Sequence, residues 1–148
     1  MPVFRRATVA DLPAIVAMLT DDALGATRET NDIAIYRQAF AAIDADPSQF
    51  LCVLQEDGQV IGTMQLTFIA GLSRRGARRG QIEAVRVHRD HRGRGLGRQM
   101  ILWAIDRCEA EGCAMVQLTT DRTRADAHRF YDSLGFTASH LGYKLALG

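Results

Sequence analysis

Cysteine is scarce in this 148-residue chain: Cys52, Cys108 and Cys113 are the only three, and neither their odd number nor their spacing forms a disulfide framework or a metal-ligand pair. Buried thiols in a reducing compartment are expected. Long apolar runs are missing too, since none approaches the roughly 20 residues of a membrane span, and no signal-type apolar segment follows the N-terminus. A cytoplasmic chain without membrane association is therefore expected. Net charge is almost absent at +1, which removes any global attraction to nucleic acid. Repeats, long linkers and low-complexity tracts are lacking as well, so residues 1–148 read as one domain, long enough to bury roughly 70% of its unfolded surface.

What charge there is lies unevenly. Nine of the seventeen arginines fall between Arg74 and Arg98, while acids such as Asp21, Asp22, Asp44, Asp46 and Glu56 occupy the first third. Any anion-binding function must be local.

Periodicity predicts a strand over 3–7 and an amphipathic helix over 8–19, where Leu12, Ile15, Val16 and Leu19 recur at helical spacing. A second helix is expected over 27–45. Strands over 50–55 and 60–69 flank an Asp57-Gly58 hairpin turn, and a polar loop over 71–80 precedes a strand over 81–87. A glycine-rich stretch then opens a helix that runs to Gly112, followed by a strand over 114–119, a helix over 123–134 and closing strands over 136–147. The order β-α-α-β-β-β-α-β-α-β-β defines an α/β fold with a mixed sheet.

The stretch His88-Arg-Asp-His-Arg-Gly-Arg-Gly-Leu-Gly97 sits between strand and helix. Such a junction aims unpaired backbone N–H groups and the positive end of a helix dipole at one point, which suits an anion. Gly93, Gly95 and Gly97 permit positive φ and close backbone approach, and Arg92, Arg94 and Arg98 can add charge-assisted contacts. The spacing is that of neither a nucleotide-hydrolysing P-loop nor a dinucleotide fingerprint. His88 and His91 stand three apart without further ligands, so no metal site is expected. An Arg-Gly nucleic-acid segment would need repetition and disorder that this run lacks. Taken alone, the glycine cluster is equally that of a structural turn.

Arg92-Gly-Arg-Gly95-Leu-Gly97 resembles the acetyl-CoA pyrophosphate signature [QR]-x-x-G-x-[GA] of the GNAT acetyltransferase superfamily. The resemblance extends along nearly the whole chain, through "ATVADLPAIVAML", the mid-chain hairpin, "IEAVRV" and "AHRFYDSLGF". It implies a single GNAT-type domain, a mixed sheet of about seven strands splayed around acetyl-CoA and about four flanking helices, and acetyl transfer to a primary amine. It also places the pyrophosphate on Arg92, Gly93, Arg94, Gly95, Leu96, Gly97 and Arg98, and the pantetheine arm on Val85, Arg86 and Val87, with a backbone N–H of that strand facing the oxyanion. Arg124 stands where the family often has asparagine, so that residue or Asp121 is expected at the pantetheine end. A homodimer is a further family-level expectation.

An attacking amine, with a pKa of about 10.4, must lose a proton, and the departing thiolate must gain one. The resemblance assigns the first task to Glu83, in the strand entering the loop. Tyr131, in Ala127-His-Arg-Phe-Tyr131, is assigned the second, because a phenol of pKa about 10 is protonated at neutral pH.

For the acceptor, the resemblance points to loops over 21–30, 73–80 and 139–144. Asp21 and Asp22 suit an amine cation, whereas Arg74, Arg75, Arg78 and Arg79 suit an acidic or phosphate-bearing molecule. The segment "DAHRFYDSLGFTASHLGYKLAL" is weakly similar to aminoalkylphosphonate acetyltransferases, and small-molecule and peptide amines both stay open. A non-catalytic acyl-CoA sensor or partner-binding module is the alternative, and thiol release with an amine panel discriminates the two. A nucleic-acid binder would instead show steeply salt-dependent affinity.

Overall fold

The computed structural model describes residues 1–22 and 25–148. The chain divides into two compact units, Met1–Gln117 and Leu118–Gly148, each described by itself.

In the first unit β1 (Val3–Arg6) leads through a 3-10 turn at Val9–Asp11 into α1 (Leu12–Thr20), followed by α2 (Gly25–Arg28) and α3 (Ile33–Ala45). Next come β2 (Gln49–Glu56), β3 (Gln59–Ile69), α4 (Ser73–Gly76), β4 (Arg79–Val87), a second 3-10 turn at Arg89–His91, α5 (Leu96–Ala110) and β5 (Met115–Gln117). The strands are ordered β1-β2-β3-β4-β5. Neighbours are antiparallel except β4 and β5, whose parallel pairing requires the α5 crossover.

The sheet packs apolar side chains on both faces. On one, Trp103 of α5 stacks on Phe4 at 5.0 Å and tilts against Phe50 at 5.6 Å, and Met100 packs beside Gly62. On the other, Val53 packs with Ala7 and Ile15, bordered by Leu19, Phe40, Leu51 and Val60. Cys52 and Cys108 are buried as expected, and Cys113 is half-buried.

Among the described residues there are five strands and six α-helical segments instead of about seven and about four. The helix expected over 27–45 is divided because Asp32 caps α3, its carboxylate accepting from the Ala34 N–H at 3.1 Å, so the chain is extended just before it. The α4 segment is a left-handed turn, with Arg74 at φ 55° and Arg75 at φ 63°. In the second unit only α6 (Ala125–Ser133) is regular, and no closing strands form over 136–147 among the described residues. A strand needs a ladder partner, and this unit contains no other strand to supply one. No helix among the described residues is long and apolar enough to cross a membrane.

One ion pair ties β1 to the start of α1. Arg5 donates from Nη1 and Nη2 to the two Asp11 carboxylate oxygens at 2.8 and 2.9 Å, and the Thr8 N–H donates to Oδ2 at 2.7 Å. The Arg5 hydrogen bonds, helped by Thr8, hold the buried Asp11 carboxyl below its usual range against the opposing effect of burial. Its contribution is therefore present above the unfolded pKa of about 3.9 and is lost as pH falls through the lower folded value. Asp11→Asn should cost about 2 kcal/mol at pH 7 in urea unfolding. Because the variant has no proton to take up there, the difference from wild type should shrink as pH falls below about 4.

Candidate active site

β4 is irregular at one place. Gln65 faces Glu83 and Thr63 faces Arg86, so β4 takes one more residue than β3 over the same interval. The bulge is marked by Ala84 at φ 54°, a left-handed conformation that costs a non-glycine residue roughly 1–2 kcal/mol. On the other side, pairing with β5 covers only Arg79, Gly80 and Gln81. β5 therefore supplies no ladder partner from Ile82 to Val87, and Val85, Arg86 and Val87 lie along an edge that β5 leaves unpaired. Glu83 is exposed at the head of that edge, immediately before the bulge.

Beyond Val87, His88 Nδ1 accepts from the Asp90 N–H at 3.1 Å, which assigns this histidine to the turn. Gly93 and Gly95 take φ of 83° and 75°, and a Cβ built on either would meet nothing within 4 Å. Gly95 is the N-cap of α5, and no side chain caps the helix. The first α5 bond runs from the Gln99 N–H to the Gly95 carbonyl at 3.2 Å, so the Leu96, Gly97 and Arg98 N–H groups have no intrahelical acceptor. Open space, three aligned donors and a positive helix end fit a diphosphate. Gly97 corrects the expectation of positive φ: as the second residue of α5 it lies outside the left-handed glycines, and its N–H belongs to the helix's first turn.

The arginines of the loop act largely as tethers. Arg94 makes a bidentate pair with Glu56 of β2 at 2.9 and 3.0 Å, and this hydrogen bonding holds the Glu56 carboxyl below its usual range. Arg92 donates to the Val87 carbonyl at 3.3 Å and lies 3.6 Å from the Asp21 carboxylate. Arg86 Nε lies 3.1 Å from Asp22 Oδ2, and its Nη1 donates to the Val85 carbonyl at 2.9 Å. Asp22 also accepts from the Gly25 N–H. Asp21 and Asp22 are thus engaged with Arg92 and Arg86; Ala23 and Leu24 lie outside the described residues. In the arginine loop, Arg78 donates to the Glu111 carbonyl and lies over Phe68, and Arg79 bonds Gln117.

Burial pushes the Cys52 thiol up to about 12 and the Cys108 thiol to about 11. Neither presents a thiolate at neutral pH, so neither is suited to carry an acyl group.

In the second unit Arg124 is the N-cap of α6, its carbonyl accepting from the His128 N–H at 3.1 Å. Thr123 Oγ1 donates to the Asp121 carboxylate at 2.6 Å. Tyr131 lies edge-on to Phe130 and Phe136, at 5.1 and 5.8 Å between ring centroids. Within the first unit, Glu83, Val85 to Val87 and Arg92 to Arg98 form one continuous run of strand edge, turn and helix start.

An open strand edge running into a capless, glycine-lined helix start has the shape and donors that suit a diphosphate-bearing chain laid against a sheet. Residues 13–136 match the acetyltransferase (GNAT) family. The chain belongs to that family and is an acetyl-CoA-dependent N-acetyltransferase. It is 30% identical to the aminoalkylphosphonate N-acetyltransferase of Salmonella typhimurium over 99% of this chain and 94% of that one. A transcriptional regulator from Bacillus halodurans C-125 shares 42% identity and a TM-score of 0.95, covering 99% of this chain and 100% of that one. A predicted acetyltransferase from Clostridium acetobutylicum, solved with acetyl-CoA, shares the fold at 19% identity and a TM-score of 0.77, covering 99% and 96%.

Proposed function

We propose that the chain acetylates the primary amine of a small molecule bearing an acidic group by direct attack, using Glu83 to accept the amine proton and Tyr131 to protonate the departing thiolate. One observation carries this reading: the exposed Glu83 carboxylate precedes the bulge at Ala84, on an edge that β5 leaves open and that runs into the glycine-lined start of α5. Acetyl-CoA, when bound, supplies the activated thioester. Backbone groups from Arg92 to Arg98 hold its diphosphate, and those of Val85, Arg86 and Val87 hold the pantetheine as an added strand would be held. An N–H of the same edge donates to the oxyanion as it develops. Arg124 or Asp121 takes the place of the family's asparagine at the pantetheine end.

The family match runs across the boundary between the two units, which supports one catalytic domain over 1–148. The acidic acceptor is supported by the similarity to an aminoalkylphosphonate N-acetyltransferase over almost the full length of both chains. The reading includes a homodimer, supported by a tail whose Leu141, Tyr143, Leu145 and Leu147 alternate with small or polar residues and are 80 to 91% exposed.

Glu83→Gln should slow kcat/KM for the amine by about 100-fold and abolish the acidic limb of the pH–rate profile. An acidic limb that survives the substitution unchanged removes Glu83 as the base.

A further inference from the structure

The sheet face that carries Glu83 is polar across four strands. Gln49 pairs with Thr67, Thr67 with Gln81, Gln81 with Gln117 and Gln65 with Glu83, so these side chains share one face. They are joined by hydrogen bonds. Gln65 Nε2 donates to Gln49 Oε1 at 2.8 Å and Thr67 Oγ1 to the same oxygen at 3.1 Å, while Gln117 Nε2 donates to Gln81 Oε1 at 3.0 Å. Arg79 Nη1, two residues further along β4, donates to Gln117 Oε1 at 3.4 Å. Each of these linked side chains is half-buried.

The network has a direction. These bonds consume acceptors at Gln49, Gln81 and Gln117, leaving the side-chain amide N–H groups of Gln49 and Gln81 and most of the Arg79 guanidinium as donors. At the other end Glu83 offers a carboxylate and Gln65 a carbonyl. Gln81 lies about 7 Å from Glu83 along the strand and Arg79 about 13 Å, at 3.3 Å per residue. A face with a carboxylate at one end and donors plus a guanidinium at the other complements a short dipolar molecule with its amine at Glu83 and an acceptor-rich acid at the far end.

We infer that this face is the acceptor subsite, with Gln81, Gln117 and Arg79 gripping the acidic group and so selecting amines that bear one. The inference rests on the placement of the reacting amine at Glu83. Its test compares 2-aminoethylphosphonate with propylamine as acceptors. Gln81→Leu should lower the ratio of kcat/KM for the phosphonate to that for propylamine by roughly tenfold or more, with KM for acetyl-CoA within about twofold of wild type. Gln81→Glu, nearly isosteric and of the same charge sign as the phosphonate, which it repels, should lower it further and serves where the leucine variant does not fold. A ratio unchanged in the folded variant overturns the subsite. A wild-type protein that acetylates neither amine overturns the function proposed above, and calorimetric titration of 2-aminoethylphosphonate onto the CoA-saturated protein then decides the subsite separately. A dissociation constant raised roughly tenfold by Gln81→Leu supports it; no binding, or binding insensitive to the substitution, overturns it.

Discussion

Gly95→Val is expected to weaken CoA binding by at least about tenfold, whereas Arg94→Gln is expected to weaken it by less than about fivefold, both measured by calorimetry. The ranking follows from what each residue does. Gly95 holds φ at 75° at the N-cap of α5, beside the donors of the first helical turn. A β-branched residue there meets a backbone penalty of about 1–2 kcal/mol and fills space through which an anion would reach the Leu96, Gly97 and Arg98 N–H groups. Arg94 is already bound to Glu56 in a solvent-screened pair, so its charge adds little to the binding of an anion. The reverse ranking would mean that the stretch binds CoA as a charged patch and not through its backbone. Thermal unfolding of both variants separates lost affinity from lost fold, and Gly95→Ala, which keeps the penalty with less bulk, should fall between them.

Tyr131→Phe should lower kcat by about 100-fold under conditions where chemistry limits the rate, with little change in KM for acetyl-CoA. The substitution keeps the ring that packs edge-on against Phe130 and Phe136 and removes only the hydroxyl. The thiolate leaving group, with a conjugate-acid pKa of about 8.5, then departs without a positioned donor. An unchanged kcat ends the general-acid assignment and leaves Tyr131 as a packing residue of α6.

Much of this was legible before any coordinates. The Arg92-x-x-Gly95-x-Gly97 spacing, set between an apolar strand and an amphipathic helix, carried the strand–turn–helix junction, because glycine spacing and helix periodicity are local properties of the chain. The bulge was not legible. Ala84 carries no local signal for a left-handed conformation; it adopts one because Thr63 and Gln65 fix the register on both sides, and that is a property of the assembled sheet. The fates of Asp21 and Asp22 were hidden for a related reason: their partners, Arg92 and Arg86, lie 71 and 64 residues away in sequence. The closing strands expected over 136–147 do not form among the described residues, since a segment able to be a strand carries no information on whether its unit supplies a partner. The glutamine face had a signal that went unused, namely polar residues at alternate positions of strands that are otherwise apolar, as in Met64-Gln-Leu-Thr-Phe68.

The central claim is that a small acidic amine, placed at Glu83 at the head of the open β4 edge, gives its proton to that carboxylate and attacks acetyl-CoA directly. Incubation of the wild-type protein with acetyl-CoA and 2-aminoethylphosphonate, with free thiol and acetylated product followed together, tests this most directly. One thiol released per acetylated amine, at a rate well above that with propylamine, is the predicted result. Acetyl-CoA that binds yet releases no thiol with the phosphonate would contradict it.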